Sequence, residues 1–248
     1  MSARTKHIQL LVNFFPYQKV GTTVLRNRFL GIFVLALCSV LASKSATAGD
    51  GEALLIVFPD YPINTDSFYG YTELAGHAGV LLIGDNGLTK YYEFGRYDKE
   101  KKGRVRKPKI SDVKIKDGLA TPESLAAVLK EISKQSGKSG NIRAAYFINM
   151  DFAKMNSYAA KLLAKSTPKS GSYDENRKPY AIASYNCGHF AEDVILQGHP
   201  KVDQPTIVNP LPVNIVDEYI EEGNAEVLLD AKSGKLTIGT GDEADAKE

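Results

Sequence analysis

The chain has 248 residues, 43% of them hydrophobic and 24% charged, which supplies enough apolar material for a globular core and excludes a fully disordered chain. Its 31 basic and 29 acidic residues nearly balance, but residues 1–48 hold six Lys or Arg and no acid, leaving 25 against 29 in the remainder. That mildly acidic remainder argues against a nucleic-acid partner.

Phe29 to Ala42, FLGIFVLALCSVLA, carries no charge, follows Arg26 and Arg28, and precedes Ala46-Thr47-Ala48. The run is short for a membrane span and suits the apolar region of an export signal cleaved after Ala48, with a retained N-terminal anchor as the competing reading. Residues 1–48 are therefore expected to be a signal peptide or anchor, and the protein to be periplasmic or secreted. Leu37 before Cys38 does not suit a lipoprotein.

Ala53 to Phe58 is an apolar run that reads as a buried first strand. Gly76 to Ile83 and Leu88 to Phe94 flank Gly84-Asp85-Asn86-Gly87 and predict a hairpin. The basic run Lys99 to Lys109 reads as a solvated turn or edge. Thr121-Pro122 opens an amphipathic helix whose buried face is Leu125, Val128, Leu129 and Ile132. Ile142 to Met150 predicts a strand, and Asp151 starts a second helix with Met155, Tyr158, Ala159, Leu162 and Leu163 inward. The polar stretch Lys165 to Lys178 is a surface loop, followed by an extended approach, Tyr180 to Ser184. Phe190, Ala191, Val194 and Ile195 recur at helical spacing after Asn186-Cys187. A proline-rich linker, a helix over 214–222, a weak hairpin and an acidic, disordered end complete the chain. The domain expectation is a catalytic unit over 49–223 and a C-terminal hairpin and tail over 224–248.

After residue 48, Cys187 is the only cysteine, so it has no intramolecular disulfide partner. A cysteine in the first turn of a helix faces free backbone N–H groups and the positive end of the peptide dipoles, which favour thiolate and could bind an oxyanion. A buried inert thiol is the alternative. Attack on a carbonyl also needs a base. His189 sits two residues on, about 200° around the helix, and points away; His77 begins an apolar strand among small neighbours. If Ile83 pairs with Gly87, Glu93 falls opposite His77 and can orient it; an even loop would turn Glu93 away. The three histidines and one cysteine of this part show no metal-ligand spacing, so neither a metal nor another cofactor is expected.

The segment Gly76-His77-Ala78-Gly79 with Val80-Leu81-Leu82-Ile83, and Tyr185-Asn186-Cys187-Gly188-His189-Phe190, resemble the circularly permuted papain-like thiol hydrolases, which include NlpC-like peptidases and lecithin:retinol acyltransferase-like enzymes. The resemblance covers about residues 53–200. It implies an α+β fold in which a small antiparallel sheet packs against the nucleophile-bearing helix, and a thioester mechanism with Cys187 as nucleophile, His77 as base and Glu93 as orienting residue, where relatives often carry histidine. It also implies an exported amidase or peptidase acting on peptidoglycan peptides. A lipid acyl-ester hydrolase or acyltransferase, and a noncatalytic secreted binding domain, are the alternatives.

Overall fold

Eight consecutive buried residues, Gly51–Phe58, form strand β1. A strand is apolar throughout when both its faces are covered, and β1 lies inside a seven-stranded antiparallel sheet with helices packed on either side. In chain order the further elements are β2 (Ile63–Asn64), β3 (Thr72–Glu73), β4 (His77–Ile83), β5 (Thr89–Gly95), β6 (Arg104–Arg106), β7 (Ile115–Lys116), β8 (Leu119–Ala120), α1 (Pro122–Ser136), β9 (Ile142–Met150), α2 (Phe152–Ser166), α3 (Cys187–Ile195), α4 (Pro212–Glu221), β10 (Ala225–Leu229) and β11 (Leu236–Gly239). The computed structural model describes residues 51–64, 72–73, 76–97, 102–166, 178–199, 202, 204–222 and 224–239, all within the second of two units, Met1–Ser43 and Lys44–Glu248. The expected signal or anchor, the interior of the 165–178 loop and the acidic end lie outside the described residues. Among the described residues no helix is long and apolar enough to cross a membrane.

The sheet order is β11-β10-β9-β1-β4-β5-β6. Alternation along β1 divides the core in two. Leu54, Ile56 and Phe58 meet Leu125, Val128, Leu129 and Ile132 of α1, whereas Ala53, Leu55 and Val57 share a cluster with residues of α2, α3 and α4. The mixed α+β class and the antiparallel sheet against the Cys187 helix agree with the sequence reading.

Local chemistry sets the element ends. Thr121 caps α1 and accepts from the Ser124 N–H, with proline next in the chain. Asp151 accepts from the Lys154 N–H at the start of α2. Helix α4 begins at Pro212, two residues before the expected Asn214, because proline suits the first helical turn. The basic run contributes β6, an edge strand whose arginines blunt further pairing. The C-terminal hairpin continues the main sheet through β10 and β9.

One buried acid links the sheet to the β7–β8 turn. Glu52 accepts from the Ala120 N–H at 2.9 Å and from the Tyr146 hydroxyl, and burial raises its carboxyl above 4.5 against those two hydrogen bonds. The folded protein thus holds this proton more tightly than the unfolded chain, so its contribution to stability falls as pH rises from 4.5 through the raised value. Glu52→Gln is expected to flatten this slope: its urea midpoint exceeds wild type at pH 8, and the advantage shrinks toward pH 4.5.

Candidate active site

Strand β4 begins at His77 because Gly76 turns the chain at φ +72°, where a Cβ would also press on Val57 and the Phe58 carbonyl. The β4–β5 register pairs Ile83 with Thr89 and Gly79 with Glu93. The connecting loop is odd, but the pairing is shifted by two residues from Ile83 opposite Gly87. Side-chain parity survives such a shift. Glu93 therefore stands on the His77 face, diagonal to it rather than directly opposite, and Glu93 Oε2 lies 3.1 Å from His77 Nε2. Gly79 leaves the space between them to Tyr91, whose hydroxyl would stand 2.3 Å from an added Cβ and which reaches Glu93 Oε2 at 3.4 Å.

The second half of the site is the start of α3. Asn186 is fully buried and its Oδ1 accepts from the Gly188 and His189 N–H groups at 2.8 and 3.3 Å. Its Nδ2 donates to the Ile182 and Pro210 carbonyls, so one side chain fixes the helix start, the approach to it and the proline-rich linker. His189 Nδ1 accepts from the Asn186 N–H to complete a capping box, and its ring stacks on Tyr185. His189 is thus part of the cap. The cap also takes up two of the N–H groups expected to hold an oxyanion, which leaves that of Cys187 itself facing the Tyr180 hydroxyl.

The two halves meet at Cys187 Sγ. It accepts from the Ala78 N–H at 3.3 Å, lies 3.7 Å from the Tyr180 hydroxyl, and is close enough to His77 for each group to act on the other's charge. Because Nε2 of His77 is directed to Glu93, Nδ1 is the nitrogen left for the thiol. Burial opposes charge on both partners, yet each outweighs it for the other. The His77 charge and hydrogen bond, with Ala78 and Tyr180, bring the Cys187 thiol below its usual 9.0. The Cys187 charge and the bonds to Cys187 and Glu93 push His77 up to about 10. Both directions favour the thiolate–imidazolium form of the pair over the neutral one. Glu93, despite burial, is held below 4.5 by the His77 bond and charge, so it remains an anion.

All three residues singled out from sequence, Cys187, His77 and Glu93, come together. Sequence reasoning did not find Tyr180, Tyr97 or Arg106. Tyr97 Oη lies 3.3 Å from His77 Nε2, and Phe58 and Tyr61 pack against the imidazole at 6.0 and 5.2 Å between ring centres. The only available signal was the number of tyrosines near the two motifs. Among the described residues no group of three or more His, Cys, Asp or Glu side chains is arranged to hold a metal ion.

A family model described as type VI secretion system effector TseH-like matches residues 53–203. The crystal structure of the type VI secretion system effector TseH aligns with a TM-score of 0.63 at 31% identity, over 76% of this chain and 97% of that one. No curated protein sequence matches the chain. The matched span holds the β4 histidine, the β5 carboxylate and the α3 cysteine, and the chain belongs to the TseH-like family of type VI secretion system effectors, within the NlpC-like papain-type thiol hydrolases.

Proposed function

We propose that the protein is an exported cysteine peptidase or amidase that cleaves an amide bond in bacterial cell-wall peptides, using Cys187 as nucleophile, His77 as proton carrier and Glu93 as the group that orients His77. The observation that carries this reading is the buried Sγ held by the Ala78 N–H at the start of β4, next to the His77 imidazole whose Nε2 meets the buried Glu93 carboxylate. A circularly permuted papain-like arrangement fits it, because the histidine strand precedes the cysteine helix in the chain. Similarity to a secretion system effector supports export.

In this reading the thiolate attacks the scissile carbonyl, and the new oxyanion takes hydrogen bonds from the Cys187 N–H and the Tyr180 hydroxyl. Burial first, and the Cys187 charge second, raise the Tyr180 hydroxyl above 10.0, so it keeps its proton for donation. His77 Nδ1–H then protonates the leaving amine as the C–N bond breaks, leaving a thioester. Neutral His77 next takes a proton from water, whose oxygen attacks the thioester and releases the acid and the thiolate. Cys187 has no exposed surface, so substrate reaches the thiolate only after the side chains that cover it shift, with the Tyr180 hydroxyl staying within reach of the reacting carbonyl.

An acyl-chain substrate would be favoured by a large apolar tunnel ending at Cys187. The apolar cavity of about 140 Å³ beside α3 is lined by residues such as Phe94, Val105, Leu162 and Phe190, and Cys187 is not among its walls. The test is to incubate wild-type protein with purified peptidoglycan and, separately, with mixed phospholipid vesicles, and to weigh the products. Release of wall peptides carrying a new amine and a new carboxylate is expected. Free fatty acid from the vesicles with intact peptidoglycan would overturn the amidase reading.

A further inference from the structure

Glu93 has two carboxylate oxygens, and the proposed function accounts for one. Oε2 meets His77, whereas Oε1 is buried and makes no hydrogen bond among the described residues. Its ionic neighbour is Arg106, directly opposite Glu93 in the β5–β6 register, with Nε 3.4 Å from Oε1. The same guanidinium lies over the Tyr97 ring, 4.5 Å from its centre. Tyr97 in turn places its hydroxyl 3.3 Å from His77 Nε2. His77, Glu93, Arg106 and Tyr97 thus form a closed ring of contacts in which Arg106 touches both groups that meet the far side of the imidazole.

We infer that Arg106 is a positioning residue: by holding Glu93 through Oε1 and Tyr97 through its ring, it fixes the imidazole so that Nδ1 faces Cys187. This rests on the catalytic reading of Cys187, His77 and Glu93. The Arg106 guanidinium contacts the Glu93 carboxylate and the Tyr97 ring. Its side chain is 43% exposed while that of Glu93 is 1% exposed, so it closes the solvent side of a buried carboxylate. A neutral side chain there would leave Glu93 less compensated and Tyr97 without its cation.

The groups facing the His77–Glu93 pair fix the sign of the test. They are Tyr91 from β5 itself, Arg106 from β6, Tyr97 beyond β5, Tyr61 with Lys138 above its ring at 4.4 Å, Cys187 from α3, and the hydroxyl of Ser136 from α1. Removing one cation from this set favours proton binding at every acid and base within it. In Arg106→Gln both the thiolate-forming and the imidazolium-losing transitions should move to higher pH by roughly half a pH unit.

The experiment follows the His77 imidazole carbons by NMR across pH in the full chain carrying labelled histidine, alongside kcat and KM on peptidoglycan. The variants are Arg106→Gln and Arg106→Lys. Arg106→Gln is expected to shift both transitions upward and lower kcat on the order of tenfold with KM little changed; Arg106→Lys returns the transitions toward wild type while recovering only part of kcat, because its ammonium lacks the planar fork. Transitions that coincide with wild type, or a raised KM with unchanged kcat, would overturn the proposal and make Arg106 a structural or substrate-binding side chain. Far-ultraviolet circular dichroism separates either result from misfolding, and a variant that unfolds is replaced by Arg106→Met under the same readouts. If instead His77 in the wild type titrates near 6.5 with no change on Cys187→Ala, the thiolate–imidazolium reading itself fails, an outcome distinct from variants that leave a paired His77 unmoved.

Discussion

Cys187→Ala is expected to reduce release of wall peptides by a factor on the order of 10⁵ or more, to the level of the uncatalysed control. The magnitude follows from the loss of the covalent step: no neighbouring side chain can substitute for the thiolate, since the hydroxyl of Tyr180 is pushed further above its ordinary value and Glu93 is committed to His77. The same substitution removes one buried sulfur next to the Ala78 N–H, so the fold should persist and the melting temperature should change by a few degrees at most. Cys187→Ser should be nearly as inactive, because its hydroxyl stays protonated where the thiol does not. Mass spectrometry of acid-quenched wild-type reactions should find substrate mass added to the peptide containing Cys187. Turnover by Cys187→Ala within tenfold of wild type would sink the assignment.

His77→Ala is expected to lower kcat by about 10³ to 10⁴ and also to change the resting state of the thiol. Burial raises the Cys187 thiol, and the His77 charge is the largest opposing influence. Without it the thiolate should disappear at neutral pH. The measurable sign is the thiolate absorbance near 240 nm, taken as the difference between each protein and its counterpart lacking the sulfur. In the wild type this signal should be present at pH 7 and persist as pH rises. In His77→Ala it should be absent at pH 7 and emerge only under alkaline conditions. His189→Ala should retain the neutral-pH signal and most of the turnover, losing instead part of the helix cap, on the order of 1 kcal/mol of stability. An unchanged thiolate signal in His77→Ala would show that the imidazole is not the thiol's counter-ion.

The parts of the fold legible from sequence were those controlled by local pattern. The uninterrupted apolar run of β1 implies burial on both faces, Thr121-Pro122 announces α1, and Asn186 before Cys187 announces α3. The β4–β5 register was not legible: the sequence left odd and even loops open, and only the paired strands show an odd loop that keeps Glu93 on the His77 face, with Ile83 opposite Thr89 rather than Gly87. The residues missed at the site reach it from elements whose placement depends on tertiary packing. Tyr180 belongs to an irregular approach, Tyr97 follows the end of β5, and Arg106 lies in a basic run that composition alone assigns to solvent. Charge in such a run is normally a surface property, and only pairing of β6 with β5 places one guanidinium beside a buried acid.

The separation of the two halves along the chain carries a consequence for when activity can arise. His77 is delivered by β4 and Cys187 by α3, and the hydrogen bond from the Ala78 N–H to Sγ spans 109 positions. Between them lie α1 and α2 as well as β9, which must pair with β1 before the sheet has its final order. Contacts so distant in sequence form late, since the chain must close long loops before they contribute. A chain still emerging from the ribosome, or held unfolded for passage through a membrane, has a cysteine with the ordinary reactivity of a free thiol. Pairing of the thiol with its imidazole therefore needs the assembled sheet, and a chain that has not folded lacks it.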